Sequence, residues 1–227
     1  MKNYLIFDCY QTLIYKSDLA ESLQVFIREN LNQTISLRYI NQALAIIYQR
    51  HKFSHPTFTT EQSRQSYYKK YNKELLAILG LTISDNSALA LNKKLSRGKY
   101  EIYSDTLPIL KYFESKHQVP LGLISNWTKT LAEILRDLNL RQYFDFVYSS
   151  QDLQIDKPDP RIFTLALRNI RKTYKKIYYV GDDYELDIIP SRQAGFIPVL
   201  IDRPDHYPKN IDCLKIKSLL ELKKVIK

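Results

Sequence analysis

Cysteine, glycine and long apolar runs are all scarce in this 227-residue chain, and each scarcity excludes a class of protein. Two cysteines, Cys9 and Cys213, cannot form a disulfide framework, which favours a reducing compartment. Five glycines leave no room for Gly/Ser linkers between separate domains. The apolar runs are far shorter than the ~20 residues that cross a bilayer, and the first residues do not resemble a secretory signal. We therefore expect a cytoplasmic protein that does not associate with membranes.

Dense blocks of basic residues are also missing, although the formal net charge is +10. The basic residues are spread in twos and threes, as at Lys69-Lys70 and Lys175-Lys176, and never form the runs of roughly 5–8 basic residues that are typical of nucleic-acid-binding segments. The four histidines are scattered and lack metal-ligand spacing. The charge therefore predicts a solvated basic surface and no nucleic-acid partner.

The hydrophobic pattern changes character twice along the chain. Residues 4–8 (YLIFD) form a short apolar run that is typical of a strand buried on both faces of a parallel sheet. Residues 17–98 carry helix signals only, and beyond residue 103 strand and helix patterns alternate. The sequence therefore predicts an α/β fold, a doubly wound, Rossmann-like parallel-sheet core over residues 1–15 and 103–227, with an inserted helical-bundle cap over residues 16–102.

Local signals place the individual elements. Within the cap, a capping box at Asp18 and Glu21 predicts the first helix, and Thr59 with Gln62 predicts the third, which would stop at Gly80. In the core, we predict strands at residues 119–124, 144–148, 177–180 and 197–201. The helices predicted between and after these strands cover residues 106–115, 128–138, 160–170, 184–194 and 218–226.

Polar residues follow several of the predicted core strands. Asp8 ends the first strand, Ser125 and Asn126 end the second, and Asp182 with Asp183 end the fourth. Lys157 lies in the loop after the third strand. Because ligands bind beyond the carboxyl ends of strands in open parallel sheets, these residues are expected to converge on one site.

Four segments carry a resemblance to a known family. YLIFDCYQTL, LISN, DKPDPRIF and YVGDDYELD resemble, in order, the four motifs of the haloacid dehalogenase-like (HAD) hydrolase superfamily. A helical cap after the first motif is also a family feature, so the resemblance covers essentially the whole chain. The stretch FDFVYSSQDLQIDKPDPRIF is particularly similar to the subfamily that includes 2-haloacid dehalogenases and small-molecule phosphatases.

The resemblance implies a covalent mechanism and assigns a role to each motif residue. Its implied catalytic residues are Asp8 as nucleophile, Lys157 as the cation that neutralises charge on the transferred group, and Ser125. It implies substrate-binding roles for Tyr10, Thr12, Asn126 and Trp127, partly through backbone amides. In the phosphatase branch it implies Mg²⁺, held by Asp8, the backbone carbonyl of Tyr10, Asp182 and Asp187. In this set Asp187 would hold the water shell of the metal or orient Lys157. Asp183 is expected to cap a helix.

The first motif departs from the phosphatase pattern at two positions. Tyr10 stands where phosphatases of the family carry a second aspartate, which protonates the leaving oxygen and later activates water. A phenol, which ordinarily titrates near ~10, is a poor replacement for such an acid near neutral pH. The tyrosine matches 2-haloacid dehalogenases, whose halide leaves without a proton. Gln11 replaces the usual glycine and makes the turn bulkier.

Three functions remain open at this point. The acidic fourth motif favours a Mg²⁺-dependent phosphatase acting slowly on a small phosphorylated metabolite. Tyr10 fits a metal-independent 2-haloacid dehalogenase, although Asp182 would repel its carboxylate substrate, and Arg50 is a weak candidate for binding the halide. The loss of the acid also fits a catalytically weak protein that binds phosphate or has a regulatory role. A small-molecule substrate is expected in each enzymatic case, and no pattern predicts an oligomeric state.

Overall fold

The computed structural model describes residues 2–51, 60–96, 98–117, 119–170 and 174–226. The chain divides into two compact units, one made of residues 1–15 and 101–227 and the other of residues 16–100. None of the helices in the described ranges combines the length and the apolar composition that crossing a bilayer requires.

The first unit is built on a six-stranded sheet in which all neighbouring strands are parallel. Its strands are β1 (Lys2–Phe7), β4 (Leu121–Ser125), β5 (Phe146–Ser149), β6 (Tyr174–Gly181), β7 (Ile197–Ile201) and β8 (Leu214–Ile216). The strand order is β5-β4-β1-β6-β7-β8. The helices around it are α5 (Thr106–Tyr112), α6 (Leu131–Asp137), α7 (Ser150–Leu153), α8 (Arg161–Asn169), α9 (Ile189–Gln193) and α10 (Leu222–Val225). This architecture confirms the predicted α/β, Rossmann-like class.

Strand β1 lies at the centre of the sheet, and its position determines where the polar strand ends meet. Leu5 is in register with Leu121 of β4 on one side and with Tyr178 of β6 on the other. The strand is fully apolar from residue 4 to residue 7 because both of its faces are covered. The residues that follow β1, β4 and β6 therefore emerge side by side at the carboxyl edge of the sheet.

A close approach between β4 and β5 requires glycine at position 122. A Cβ built on Gly122 would lie 2.3 Å from the ring of Phe146, so any side chain there would displace that ring. Phe146 in turn stacks on Tyr4 of β1, with ring centroids 6.1 Å apart. The small residue therefore lets an aromatic layer pack directly against the sheet.

Within the described residues, the second unit is built from four helices. These are α1 (Leu19–Leu31), α2 (Leu37–His51), α3 (Glu61–Ile78) and α4 (Asp85–Ser96). Their apolar stripes meet in one buried cluster that includes Leu23, Phe26, Ile40, Ile47, Leu75 and Leu91. Gly80 follows α3 with a φ of +74°, the left-handed conformation that commonly ends a helix.

The structure corrects several local predictions. The side chain of Asp18 does not cap α1; its Oδ1 accepts a hydrogen bond from the amide of Lys99, 81 residues away. Thr59 lies outside the described residues, and α3 is capped instead by Thr60, which accepts from the amide of Ser63. The predicted core helices are shorter or broken. The predicted helix over residues 184–194, for example, is a short π-helix over Tyr184–Ile188 followed by α9.

Three short strands were not predicted. Strands β2 (Ile14–Lys16) and β3 (Tyr100–Ile102) pair with each other, and β8 extends the edge of the main sheet. Each contains only three residues, too few to show an alternation of apolar and polar positions.

Candidate active site

Asp8 follows β1 and is held at the centre of a polar cluster. Its amide donates to the carbonyl of Val180 at 2.8 Å, which continues the pairing of β1 with β6. One carboxylate oxygen, Oδ1, accepts hydrogen bonds from Ser125 Oγ at 3.0 Å and from Lys157 Nζ at 2.6 Å. Burial raises the pKa of Asp8 to about 6, although Lys157 acts in the opposite direction. The carboxylate is therefore fixed in orientation, with Oδ2 not engaged by these two partners.

Lys157 bridges two carboxylates in a buried position. Its ammonium lies 2.6 Å from Oδ1 of Asp8 and 2.6 Å from Oδ1 of Asp187, and its side chain is only 3% exposed. Burial alone would lower the pKa of Lys157, but Asp187 and Asp8 outweigh that effect and hold it well above the ordinary value. A fixed positive charge therefore lies beside the candidate nucleophile.

Asn126 fixes the loop that carries Lys157. Its side-chain amide donates to the carbonyl of Lys157 at 2.8 Å, and its Oδ1 accepts from the amide of Lys157 at 2.7 Å. The two hydrogen bonds join the end of β4 to a loop 31 residues further along the chain. Because its side chain is used in this way, a substrate-binding role of Asn126 would depend on its backbone amide, and that role stays a prediction.

Three carboxylates form the acidic side of the cluster. Single oxygens of Asp8, Asp182 and Asp187 all lie within 4.8 Å of one another. Burial raises the pKa of Asp182 well above its ordinary value, and the charges of Asp8, Asp187 and Asp183 raise it further. Thr12 Oγ1 donates to Asp182 Oδ1 at 3.1 Å, so the side chain of Thr12 contacts a candidate metal ligand.

This donor set fits a divalent metal. Carboxylate oxygens are the ligands that Mg²⁺ prefers, and it is usually held by one or two of them together with water. With all three carboxylates ionised, Lys157 compensates one of the three negative charges and leaves two, which equals the charge of Mg²⁺. Asp8 and Asp182 are the candidate direct ligands, and the backbone carbonyl of Tyr10 stays a predicted third.

Asp187 and Asp183 have separate structural roles. Asp187 accepts from Lys157 and Tyr179 through Oδ1 and from the amide of Asp183 through Oδ2. Both of its oxygens are thus engaged, which suits it to orienting Lys157 or to holding metal-bound water. Asp183 caps the following turn, because its Oδ1 accepts from the amides of Glu185 and Leu186 at 2.9 Å, as predicted.

An aromatic contact joins Tyr10, in the loop after β1, to Trp127, in the loop after β4. Both side chains are half-buried, and their centroids lie 6.2 Å apart in an edge-on arrangement. Gln11 adopts a φ of +61°, the left-handed region in which glycine is unstrained. The backbone therefore keeps the turn that a glycine would form.

The side chains of three further residues take no part in this cluster. Cys9 is fully buried, and burial, followed by the charge of Asp8, raises its pKa well above the ordinary value, so it is a packing residue. Arg161 pairs with Asp159 at 2.6 Å in an exposed position and does not bond to Lys157. Arg50, in the second unit, pairs with Glu74 at 2.9 Å.

Two residues of the site were not predicted from the sequence. Tyr179 is fully buried, and its hydroxyl accepts a hydrogen bond from Lys157 at 3.3 Å. The single hydroxyl proton is shared between two acceptors, the carbonyl of Ile124 at 3.1 Å and Oδ1 of Asp187 at 3.2 Å. A tyrosine within an apolar strand could have predicted this role, because a buried hydroxyl usually finds a hydrogen-bond partner. Arg203 donates to the carbonyl of Thr12 at 2.8 Å from a loop after β7, where no motif marks it.

The fold and the cluster together define a hydrolase-like α/β protein with a candidate carboxylate nucleophile at the carboxyl edge of a parallel sheet. The sequence profile of the haloacid dehalogenase-like hydrolases matches residues 3–195. This chain belongs to that family.

Individual relatives are similar over part of the chain. A haloacid dehalogenase-like hydrolase domain-containing protein 3 from Danio rerio is 33% identical over 113 residues, which are 50% of this chain and 46% of that protein. The chain thus spans less than half the length of that relative. A glyceraldehyde 3-phosphate phosphatase from Methanothermobacter thermautotrophicus is 29% identical over 163 residues, 68% of each chain.

Solved structures show the same fold. The HAD-hydrolase YfnB from Bacillus subtilis, solved bound to magnesium, matches with a TM-score of 0.77 at 19% identity, over 99% of this chain and 98% of that one. Other structures of this fold include both phosphatases and 2-haloacid dehalogenases. The likeness to these structures therefore concerns the fold alone.

Proposed function

We propose that this chain is a Mg²⁺-dependent phosphatase of the cytoplasm that acts on a small phosphorylated metabolite through a covalent intermediate on Asp8. The observation that carries the proposal is the cluster of Asp8, Asp182 and Asp187, two of which, Asp8 and Asp187, pair with the ammonium of Lys157. The similarity to a phosphatase over 68% of both chains supports it.

The charge of the cluster favours a metal-assisted reaction on a phosphate. With all three carboxylates ionised, the two charges that Lys157 does not compensate would repel any anionic substrate, whether a phosphate or a 2-haloacid. When bound, Mg²⁺ would compensate these charges and attract the phosphoryl oxygens. A phosphatase uses all three carboxylates, whereas a metal-free dehalogenase has no use for Asp182.

The contacts of Asp8 suit it to nucleophilic attack. Lys157 and Ser125 hold Oδ1, so Oδ2 can attack phosphorus while the bond from phosphorus to the leaving oxygen breaks. Lys157 remains protonated beside the transferred group and stabilises the charge on it. Water then attacks phosphorus, which releases inorganic phosphate and regenerates Asp8.

Tyr10 limits which phosphates can be turned over. Since no aspartate at this position protonates the leaving oxygen, a leaving group that is stable as an anion is preferred over an alkoxide. General acid catalysis contributes ~10²–10⁴-fold, so alkyl phosphates should react more slowly than acyl or aryl phosphates by a factor of that order.

A 2-haloacid dehalogenase is the second candidate, and Tyr10 is the observation that favours it. In that reaction Asp8 would displace the halide from carbon, and water would hydrolyse the resulting ester. Neither the protonation of a leaving group nor a metal is required. Retention of Asp182 within the cluster is the observation that speaks against it.

Phosphate release from acetyl phosphate and p-nitrophenyl phosphate, with Mg²⁺ and with EDTA, tests the proposal. The variants are Asp8→Asn and, as a matched control, Asp212→Asn, which removes a surface carboxylate paired with Arg192. We expect Mg²⁺-dependent release by the wild type and the control and none by Asp8→Asn. No release by the wild type would reject the phosphatase. Chloride release from 2-chloropropionate would then establish the dehalogenase, and its absence would leave a binding protein.

A further inference from the structure

The loop that follows Asp8, residues 9–14, is folded tightly by its own backbone. The amides of Leu13 and Ile14 both donate to the carbonyl of Cys9, at 2.8 and 3.1 Å, and the amide of Gln11 donates to the carbonyl of Ile14 at 2.7 Å. The loop carries Tyr10 and Thr12, two residues of the candidate site. Gln11 holds a left-handed φ of +61°, in which a residue with a Cβ is strained. The loop therefore needs support from outside to keep this conformation.

Two side chains from distant parts of the chain supply that support. Arg203 Nη2 donates to the carbonyl of Thr12 at 2.8 Å, and the hydroxyl of Tyr103 donates to Oε1 of Gln11 at 2.6 Å. The two supports are joined to each other, because the guanidinium carbon of Arg203 lies 3.8 Å from the centroid of the Tyr103 ring. Consecutive residues of the loop are thus held by one stacked pair.

Asp105 fixes the position of Arg203 independently of the loop. Its two oxygens accept from Nη1 and Nη2 of Arg203, each at 2.9 Å, in a bidentate ion pair. The same carboxylate accepts from the hydroxyl of Ser218 at 2.8 Å and from the amide of Leu219 at 2.9 Å. Nε of Arg203 has no partner among the described residues, so the Nη groups carry its hydrogen bonds. The buried carboxylate of Asp105 thus orients the guanidinium of Arg203 toward the carbonyl of Thr12.

We propose that Arg203 is a positioning residue, which with Tyr103 holds residues 9–14 in the conformation that places Thr12 and Tyr10 beside Asp8. Thr12 links the loop to the site directly, since its hydroxyl donates to Asp182. The catalytic consequence of this role rests on the proposed phosphatase function. The structural consequence, a loop that loosens when Arg203 is removed, does not depend on it.

The test compares Arg203→Gln with Arg192→Gln by hydrogen exchange and by kinetics. Arg192→Gln is the matched control, because it also removes an arginine bound to an aspartate, Asp212, which makes no contact with the loop in the described structure. We expect faster amide exchange at residues 11–14 in Arg203→Gln, with strand β4 unchanged, and wild-type exchange in the control. In the kinetics with p-nitrophenyl phosphate we expect kcat to fall by roughly 10–100-fold with little change in KM, since misplacement of catalytic groups by about 1 Å has effects of this size.

Several outcomes would overturn the proposal. Unchanged exchange at residues 11–14 in a folded Arg203→Gln protein would do so even if the wild type has no phosphatase activity, so the two proposals can fail separately. An equal fall in kcat in the Arg192→Gln control would also overturn the proposal, because the effect would then not be specific to Arg203. If Arg203→Gln does not fold, Tyr103→Phe removes only the hydroxyl that reaches Gln11, and it should raise exchange at residue 11 and lower kcat; wild-type values for both would contradict the proposal.

Discussion

Replacing Lys157 by methionine should destabilise the protein strongly, because it leaves two buried carboxylates without their cation. Methionine keeps a side chain of similar length but removes the charge that lies 2.6 Å from both Asp8 and Asp187. Removing one partner of a buried ion pair costs ~3–5 kcal/mol. In a chain of this size each kcal/mol lowers the melting temperature by ~2–4 °C, so a fall of about 6–20 °C is expected.

Thermal unfolding followed by circular dichroism at pH 8, in EDTA, measures this effect. The matched control is Lys94→Met, whose partner Glu29 lies 3.4 Å away on the surface; an exposed pair contributes only ~0–1 kcal/mol. Adding Asp187→Asn to Lys157→Met should restore part of the loss, because it removes one of the two unpaired charges, and coupling between contacting residues is ~0.5–3 kcal/mol. A Lys157→Met protein whose melting temperature equals that of the Lys94→Met control would contradict this prediction.

Three further predictions concern single positions. Tyr10→Asp should raise the turnover of alkyl phosphates by ~10²-fold or more, measured by phosphate release; no gain in a folded variant would show that the missing acid does not limit the rate. Gly122→Ala should lower the free energy of unfolding in urea by ~1–3 kcal/mol because the new methyl group displaces Phe146, and an unchanged midpoint would contradict that contact. Burial would raise the pKa of Asp105, but hydrogen bonds from Arg203 and its other donors outweigh it and hold the pKa below the ordinary value. A carboxyl group with a depressed pKa stabilises the fold above the unfolded pKa of ~3.9, and this stabilisation is lost as the pH falls through the folded pKa. Asp105→Asn should therefore lower the free energy of unfolding by ~1–3 kcal/mol at pH 7 and by progressively less in acid. A loss that does not change with pH would contradict this prediction.

The positions of the central site residues could be predicted because a parallel sheet makes them regular. Asp8 comes directly after β1, Ser125 is the last residue of β4, and Asp182 follows the last residue of β6. The strands point the same way, so residues that follow neighbouring strands must meet at one edge. Simple hydrophobic patterning and the four motifs therefore sufficed to bring these residues together.

The supporting contacts could not be predicted, because they join residues without any local pattern. Arg203 and Asp105 are 98 residues apart, and the pairing depends on where two loops end in three dimensions. At Asp18 a local pattern is present, but a contact with a distant segment replaces the one that the pattern predicts. Its spacing from Glu21 is typical of a capping box, yet the carboxylate binds the amide of Lys99, since a partner from a distant segment competes with the local one.

Trapping a covalent intermediate on Asp8 tests the proposed mechanism most directly. The wild-type protein, Asp8→Asn and Asp212→Asn would each be mixed with ³²P-acetyl phosphate and Mg²⁺, quenched in acid within the first turnover, and digested. We expect acid-stable, base-labile label on the peptide that contains Asp8 in the wild type and in Asp212→Asn, and none in Asp8→Asn. Phosphate release that persists in Asp8→Asn, or label on a different peptide, would contradict it.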